Sequence, residues 1–283
     1  MREGRPSLTA LGVALLRGVA TSPDARFRVD DPVARELLPF PFSLVERLKK
    51  LPLAQPIARV ISGGLLDHVA LRTTAIDEEL AMALDREVEQ VVILGAGLDA
   101  RAWRMDALAR AVVYEVDVAS TQRLKRERLE HRAPRAREVR FVTVDFARGE
   151  LDAQLARAGH DPARPTIWLW EGVLPYLPIE AARETLATIR ARSAPESVLL
   201  ATYVTPEHVK VPTRLLPAVT RAFALLGEPL IGALEPVAIR ALLEETGFDP
   251  RHDSGSPDWA RARLRRGRPL IEITERLVIA RVR

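Results

Sequence analysis

The chain has 283 residues, 47% of them apolar, and a mean hydropathy of -0.02, which describes a globular protein with a full core and excludes a disordered one. It contains no cysteine, which excludes disulfides, thiolate zinc sites, iron–sulfur clusters and cysteine nucleophiles, and suits a reducing, cytoplasmic setting. A net charge of +4 is a mild excess, and the densest basic run, 261–268, has Trp259 as its one aromatic neighbour, so a solvated connection is expected there and not a nucleic-acid surface.

The N-terminus imitates an export signal, with Arg2 and Arg5 before an apolar run, but Arg17 cuts that run short and no small-x-small cleavage site follows directly. Leu8, Leu11, Val13, Ala14 and Leu15 are spaced for a helix capped by Ser7. No apolar segment approaches the ~18–20 residues of a membrane span. Helical spacing interrupted by prolines continues to residue 86, which predicts an N-terminal helical cap over 1–86. The α/β core is placed at 87–283. Strands are expected at Val91–Leu94, Val112–Val116, Val139–Val144, Thr166–Trp170 and Val198–Val204, with helices between them, notably Ser120–Glu130 and Ile179–Ser193. Such alternation predicts a parallel sheet covered by helices on both faces. A proline-rich insertion after the fifth strand, about 205–234, reads as a wall or lid. The helix "EPVAIRALLEETGFDP" stopped by Gly247 and the apolar strand "ERLVIARVR" close the chain.

The first strand runs into "GAGLDA", where Gly95, Ala96 and Gly97 make a turn that a ligand can approach closely, followed by a helix start with open N–H groups. The turn alone serves a nicotinamide dinucleotide or S-adenosylmethionine equally well. Glu115 and Asp117 end the second strand, about twenty residues on, where a carboxylate can hold both ribose hydroxyls; Asp117 is the favoured one. Asp145 and Phe146 follow the third strand, placed for the amine and the ring of adenine. Glu171 ends the fourth strand, next to where a reacting group would lie. Hydride transfer has no use for an acid there, whereas the ammonium of a methionine moiety has, so the reading favours S-adenosylmethionine over NAD(P).

Taken together, "RTTAID" (72–77), "VVILGAGLDARAWR" (91–104), "VYEVD" (113–117), "VTVDF" (142–146) and "PTIWLWEGVLPYL" (165–177) resemble the leucine carboxyl methyltransferase family, and more specifically its bacterial branch of polyketide-tailoring carboxyl methyltransferases. The resemblance implies a doubly wound, mostly parallel seven-stranded α/β sheet of the Rossmann-like class. It also implies that Arg72 pairs with the carboxylate of S-adenosylmethionine, that Gly95 lines its methionine and ribose portion, and that Asp117 holds the ribose. Asp145 and Phe146 would take the adenine and Glu171 the methionine amino end; Arg17 matches a basic residue of the family's first helix only loosely. A small-molecule carboxylate is the expected acceptor, because it is ionised at pH 7 and needs no general base. Tyr176, Tyr203 and His208 are the candidates for the acceptor side, with Trp103 and Arg104 behind them. No metal is called for. The alternatives are an NAD(P)-dependent oxidoreductase and a catalytically silent protein that retains the cofactor pocket.

Overall fold

The computed structural model describes residues 7–51, 53–144, 150–209, 232–263, 269 and 273–283. Seven strands form one sheet: β1 (Gln90–Leu94), β2 (Val112–Asp117), β3 (Glu138–Thr143), β4 (Thr166–Trp170), β5 (Val198–Val209), β6 (Phe248–Gly255) and β7 (Ile273–Val282). Their order is β3-β2-β1-β4-β5-β7-β6, with β7 antiparallel to both of its neighbours and the other pairs parallel. This is the doubly wound sheet expected. Its order reverses between β1 and β4, and ligands of such sheets bind outside the carboxyl ends of the strands at that crevice.

Eleven helices are described: α1 (Leu8–Ala20), α2 (Ala34–Leu37), α3 (Phe42–Arg47), α4 (Ala54–Ile61), α5 (Leu65–Leu84), α6 (Arg101–Arg104), α7 (Ala119–Leu129), α8 (Leu151–Arg157), α9 (Ile179–Ala191), α10 (Pro236–Glu245) and α11 (Ser256–Arg261). Ser7 caps α1 as expected, its hydroxyl accepting the Ala10 N–H at 3.1 Å. The central strands are apolar on both faces, as buried parallel strands must be, and alternation sorts their side chains into two cores. Val91, Ile93, Ile167, Leu169 and Leu200 point to the core shared with α1, α2 and α5, and Leu277 of β7 joins them. Val92, Leu94, Trp168, Trp170, Leu199 and Tyr203 point to the other, covered by α8, α9 and α10. Among the described residues no helix is long and apolar enough to cross a membrane.

Three differences from expectation have physical reasons. β6 was not marked by its sequence, "FDPRHDSG", because it is an edge strand: Pro250 costs no ladder bond there, and the register shifts between Pro250 and His252. β5 continues to Val209, into what read as the start of the insertion. The helix after the glycine turn is one turn long, and its first N–H is taken by Asp99 Oδ1 at 2.6 Å, so it offers little of the dipole expected of it. Most of the 205–234 insertion and of the basic run lies outside the described residues, as do Asp145 and Phe146.

Candidate functional site

β1 delivers the chain to Gly95 and Gly97, whose φ angles of +63° and +48° belong to the left-handed region that glycine tolerates. A side chain on Gly95 would collide with Val173 Cγ2, and one on Gly97 would come within 3.3 Å of Ala10 on α1. The turn is tied to the end of β2: the Gly97 N–H donates to Asp117 Oδ2 at 2.5 Å, and the Ala96 N–H to the Val116 carbonyl at 3.0 Å. Burial lifts the Asp117 carboxyl above its ordinary value, against the pull of the Gly97 and Val118 N–H groups. Glu115, one step deeper on the same side of the strand, is a different kind of acid. It pairs with Lys125 at 2.6 Å, both side chains being 1% exposed, and so belongs to the packing of α7 on the sheet. The Val144 N–H reaches the Asp117 carbonyl at 3.1 Å, so the chain leaves β3 beside Asp117, one residue before Asp145.

Arg72 stands in the middle of the long helix α5. Its Nε lies 2.9 Å from Glu171 Oε1 at the end of β4, and its Nη1 lies 2.8 and 3.1 Å from the two oxygens of Glu275 on β7. Glu171 is shared, since its other oxygen accepts from Arg101 Nη1 at 2.7 Å. Arg101 in turn binds Asp77 at 2.7 Å and Asp99. Burial alone would lower the pKa values of Arg72 and Arg101; the carboxylates around them more than reverse that and hold both guanidiniums charged. Asp77 also takes Arg104, and Arg17 of α1 closes the chain of charges, pairing with Asp31 at 2.9 Å and donating to the Leu98 carbonyl in the glycine turn. Arg17, Arg72, the 95–97 turn, Asp117 and Glu171 are thereby linked, contact by contact, at the carboxyl ends of β1, β2 and β4.

The acceptor-side expectations fare differently. Tyr176 lies half-buried in a 3-10 turn, Leu174–Tyr176, directly after β4. His208 is the penultimate residue of β5, its side chain outside the described ones. Tyr203 is corrected: it is fully buried among the α9 and α10 contacts, and its hydroxyl donates to Asp253 at 2.6 Å, which joins β5 to β6 across β7. Trp103 is corrected as well. It packs in the opposite core, against Phe141 and under Lys125, with its N–H on the Arg132 carbonyl. Arg104 belongs to the α5–α6 ion pairs with Asp77.

Sequence reasoning missed Arg101, His68 and Glu275. His68 and Arg72 share one face of α5 at i, i+4, and both reach Glu275, His68 Nε2 at 2.7 Å; His68 Nδ1 meets Ser256 Oγ at 2.8 Å. A signal for Glu275 existed: it sits two residues before Leu277, so alternation turns it into the α5 core, where a carboxylate requires a partner. Burial would raise its pKa, yet Arg72 and His68 hold it down at about 2.

The chain is similar to known proteins in sequence and in fold. Relatives from Mycobacterium bovis and Mycobacterium tuberculosis, provisionally named S-adenosyl-L-methionine-dependent methyltransferases, are 41% identical over 197 residues, which is 67% of this chain. The match spans 62% of those relatives' own length, a little under two thirds. Among solved structures, a DUF574 family protein from Streptomyces avermitilis superposes with a TM-score of 0.62 over 96% of this chain and 97% of its own, at 16% identity. A protein of Thermobifida fusca, provisionally named a methyltransferase, gives 0.60 over 100% and 97%, also at 16% identity, so both show the fold. The model of one family, leucine carboxyl methyltransferase, matches residues 10–190, a span that holds Arg17, Arg72, the glycine turn, Asp117 and Glu171. The chain belongs to the leucine carboxyl methyltransferase family.

Proposed function

We propose that the chain is an S-adenosylmethionine-dependent O-methyltransferase that esterifies a carboxylate of a small molecule, of the kind polyketide-tailoring enzymes accept. The observation that carries this reading is the Arg72–Glu171 pair beside the glycine turn. One guanidinium and one carboxylate, 2.9 Å apart, can donate to the carboxylate and accept from the ammonium of an amino acid, and Asp117 can accept from a ribose diol. These residues fit S-adenosylmethionine, whereas a nicotinamide dinucleotide, whose pyrophosphate could meet Arg72, has no primary ammonium for Glu171. In this reading Arg72 holds the ligand carboxylate, Glu171 the ammonium and Asp117 the ribose. Gly95, Ala96 and Gly97 give the backbone approach, Arg17 braces the turn from behind, and Asp145 and Phe146 serve the adenine. Family membership and the names of the mycobacterial relatives support it.

The bound cofactor would supply a methyl group already activated on a sulfonium. The chain's part is to hold the reacting groups in line and keep water out, and orientation of this kind recovers roughly 7–11 kcal/mol of barrier. A carboxylate acceptor asks no proton transfer of the protein. The described histidine side chains accord with that. His68 is committed to Glu275 and Ser256, His160 is buried against Tyr114 and Trp168 with its pKa pushed down to about 4 by burial and Arg192, and His131 and His252 are exposed. Tyr176 and His208 are the acceptor-side residues of the proposal.

Isothermal titration with S-adenosylmethionine, S-adenosylhomocysteine and NADP tests the cofactor; binding of NADP with neither adenosyl ligand overturns it. Incubation of methyl-labelled cofactor with a panel of small carboxylic acids tests the acceptor. A labelled product that mild base hydrolyses is the expected ester, and a base-stable product replaces the carboxylate by a hydroxyl.

A further inference from the structure

Glu275 is far from every motif, 203 positions beyond Arg72, yet it makes the tightest hold on that arginine. Both of its oxygens reach a single nitrogen, Nη1, while Nε faces Glu171 Oε1 at 2.9 Å as an ion pair; Nη2 has no hydrogen-bond partner among the described residues. Glu275 is itself fixed. It stands on β7, between β5 and β6, and its Oε2 lies 2.7 Å from His68 Nε2. His68 rests on Ser256 Oγ at 2.8 Å and against the Trp259 ring, and His68, Ser256 and Glu275 are all buried.

We infer that Glu275, held by His68, is a positioning residue for Arg72: it pins Nη1 so that Nη2 stays available to the carboxylate of a ligand. The inference rests on the cofactor reading above. A guanidinium beside a lone carboxylate closes into two parallel N–H···O bonds. Without Glu275, Arg72 would turn both Nε and Nη2 onto Glu171, and the N–H groups meant for a ligand would be consumed inside the protein. Glu171 could not follow Arg72 elsewhere, because Arg101 holds its second oxygen at 2.7 Å. Glu275 thus acts on a ligand through Arg72 and not by touching it, and its effect is confined to ligands that carry the carboxylate.

Isothermal titration of the full chain with two ligands tests this. S-adenosylhomocysteine carries the amino-acid carboxylate; methylthioadenosine shares the nucleoside and lacks it. Glu275→Gln is expected to weaken S-adenosylhomocysteine about tenfold, the scale of one lost charge-assisted contact, and to leave methylthioadenosine within about twofold. In an Arg72→Met background the same substitution should cost S-adenosylhomocysteine nothing more. Should Glu275→Gln not melt cooperatively, His68→Asn, which leaves both carboxylates in place, is expected to show the same selective loss at smaller size. Equal weakening of both ligands, or no weakening of either, in a cooperatively melting variant overturns the inference alone. A wild-type chain that binds neither ligand overturns the cofactor reading and the inference with it.

Discussion

The conformation of Gly95 sets a cost that no other residue escapes. Gly95→Ala is expected to lower unfolding free energy by about 2 kcal/mol in urea titration, from the left-handed backbone angle and from the collision with Val173. Adding Val173→Ala should recover the collision share and leave the backbone share. Glu275 makes a pH prediction. Its carboxyl is held near 2 in the folded chain against an ordinary 4.5, so the folded state binds fewer protons than the unfolded one below that value. The stability it contributes is full above pH 4.5 and is lost as pH falls towards 2, about 3 kcal/mol in all. Urea midpoints compared at pH 5 and pH 3 should fall less steeply for Glu275→Gln than for wild type. Glu115 acts in the opposite sense: burial pushes its carboxyl up to about 7 despite Lys125, so its share is lost as pH rises from 4.5 to 7. At this scale the sequence exposed residues at the carboxyl ends of strands, Gly95, Asp117 and Glu171, because glycines and carboxylates stand out there against the apolar runs that precede them. It hid His68 and Glu275, whose meaning lies in a partner some two hundred positions away.

Among the elements, α1 adds to its apolar packing a few polar contacts that tie it to the site. Arg17 joins Asp31, which is buried and capped by its bond to the Ala34 N–H, to the Leu98 carbonyl of the glycine turn. Arg17→Met leaves Asp31 with Arg104 at 3.8 Å as its remaining cation, and is expected to cost about 3 kcal/mol. Hydrogen exchange should then quicken together in α1 and at residues 96–99, while β3 stays protected. The strands of the buried centre were legible as short β-branched runs, and β4 matches its expected bounds to the residue. β6 was not, because an edge strand with Pro250, Arg251 and exposed His252 carries the composition of a loop and is made a strand only by its pairing with β7.

Over the whole molecule, ten of the fourteen exposed large apolar side chains among the described residues fall between 40 and 65. Phe40, Leu53, Val60 and Ile61 are 78%, 72%, 69% and 81% exposed, and α4 turns Ile57, Val60 and Ile61 outward on one face. The helical spacing of this stretch was legible in the sequence, but α4 buries only Gln55 among its described residues. Such an apolar surface should bind the dye ANS in the native state. Ile57→Ser with Ile61→Ser is expected to reduce that fluorescence while leaving the melting temperature within about 2 °C, because neither side chain contributes to the core. A large loss of melting temperature would show that these residues pack.

The place of β7 has a consequence for synthesis. It is the last of the described strands to leave the ribosome, yet it must enter between β5 and β6, which come before it. Until it does, both of those strands carry an open edge and Arg72 lacks Glu275. A nascent chain can therefore assemble its glycine turn, Asp117 and Glu171 and still be unfinished at the arginine. A stalled chain ending before residue 273 should expose those two edges to aggregation.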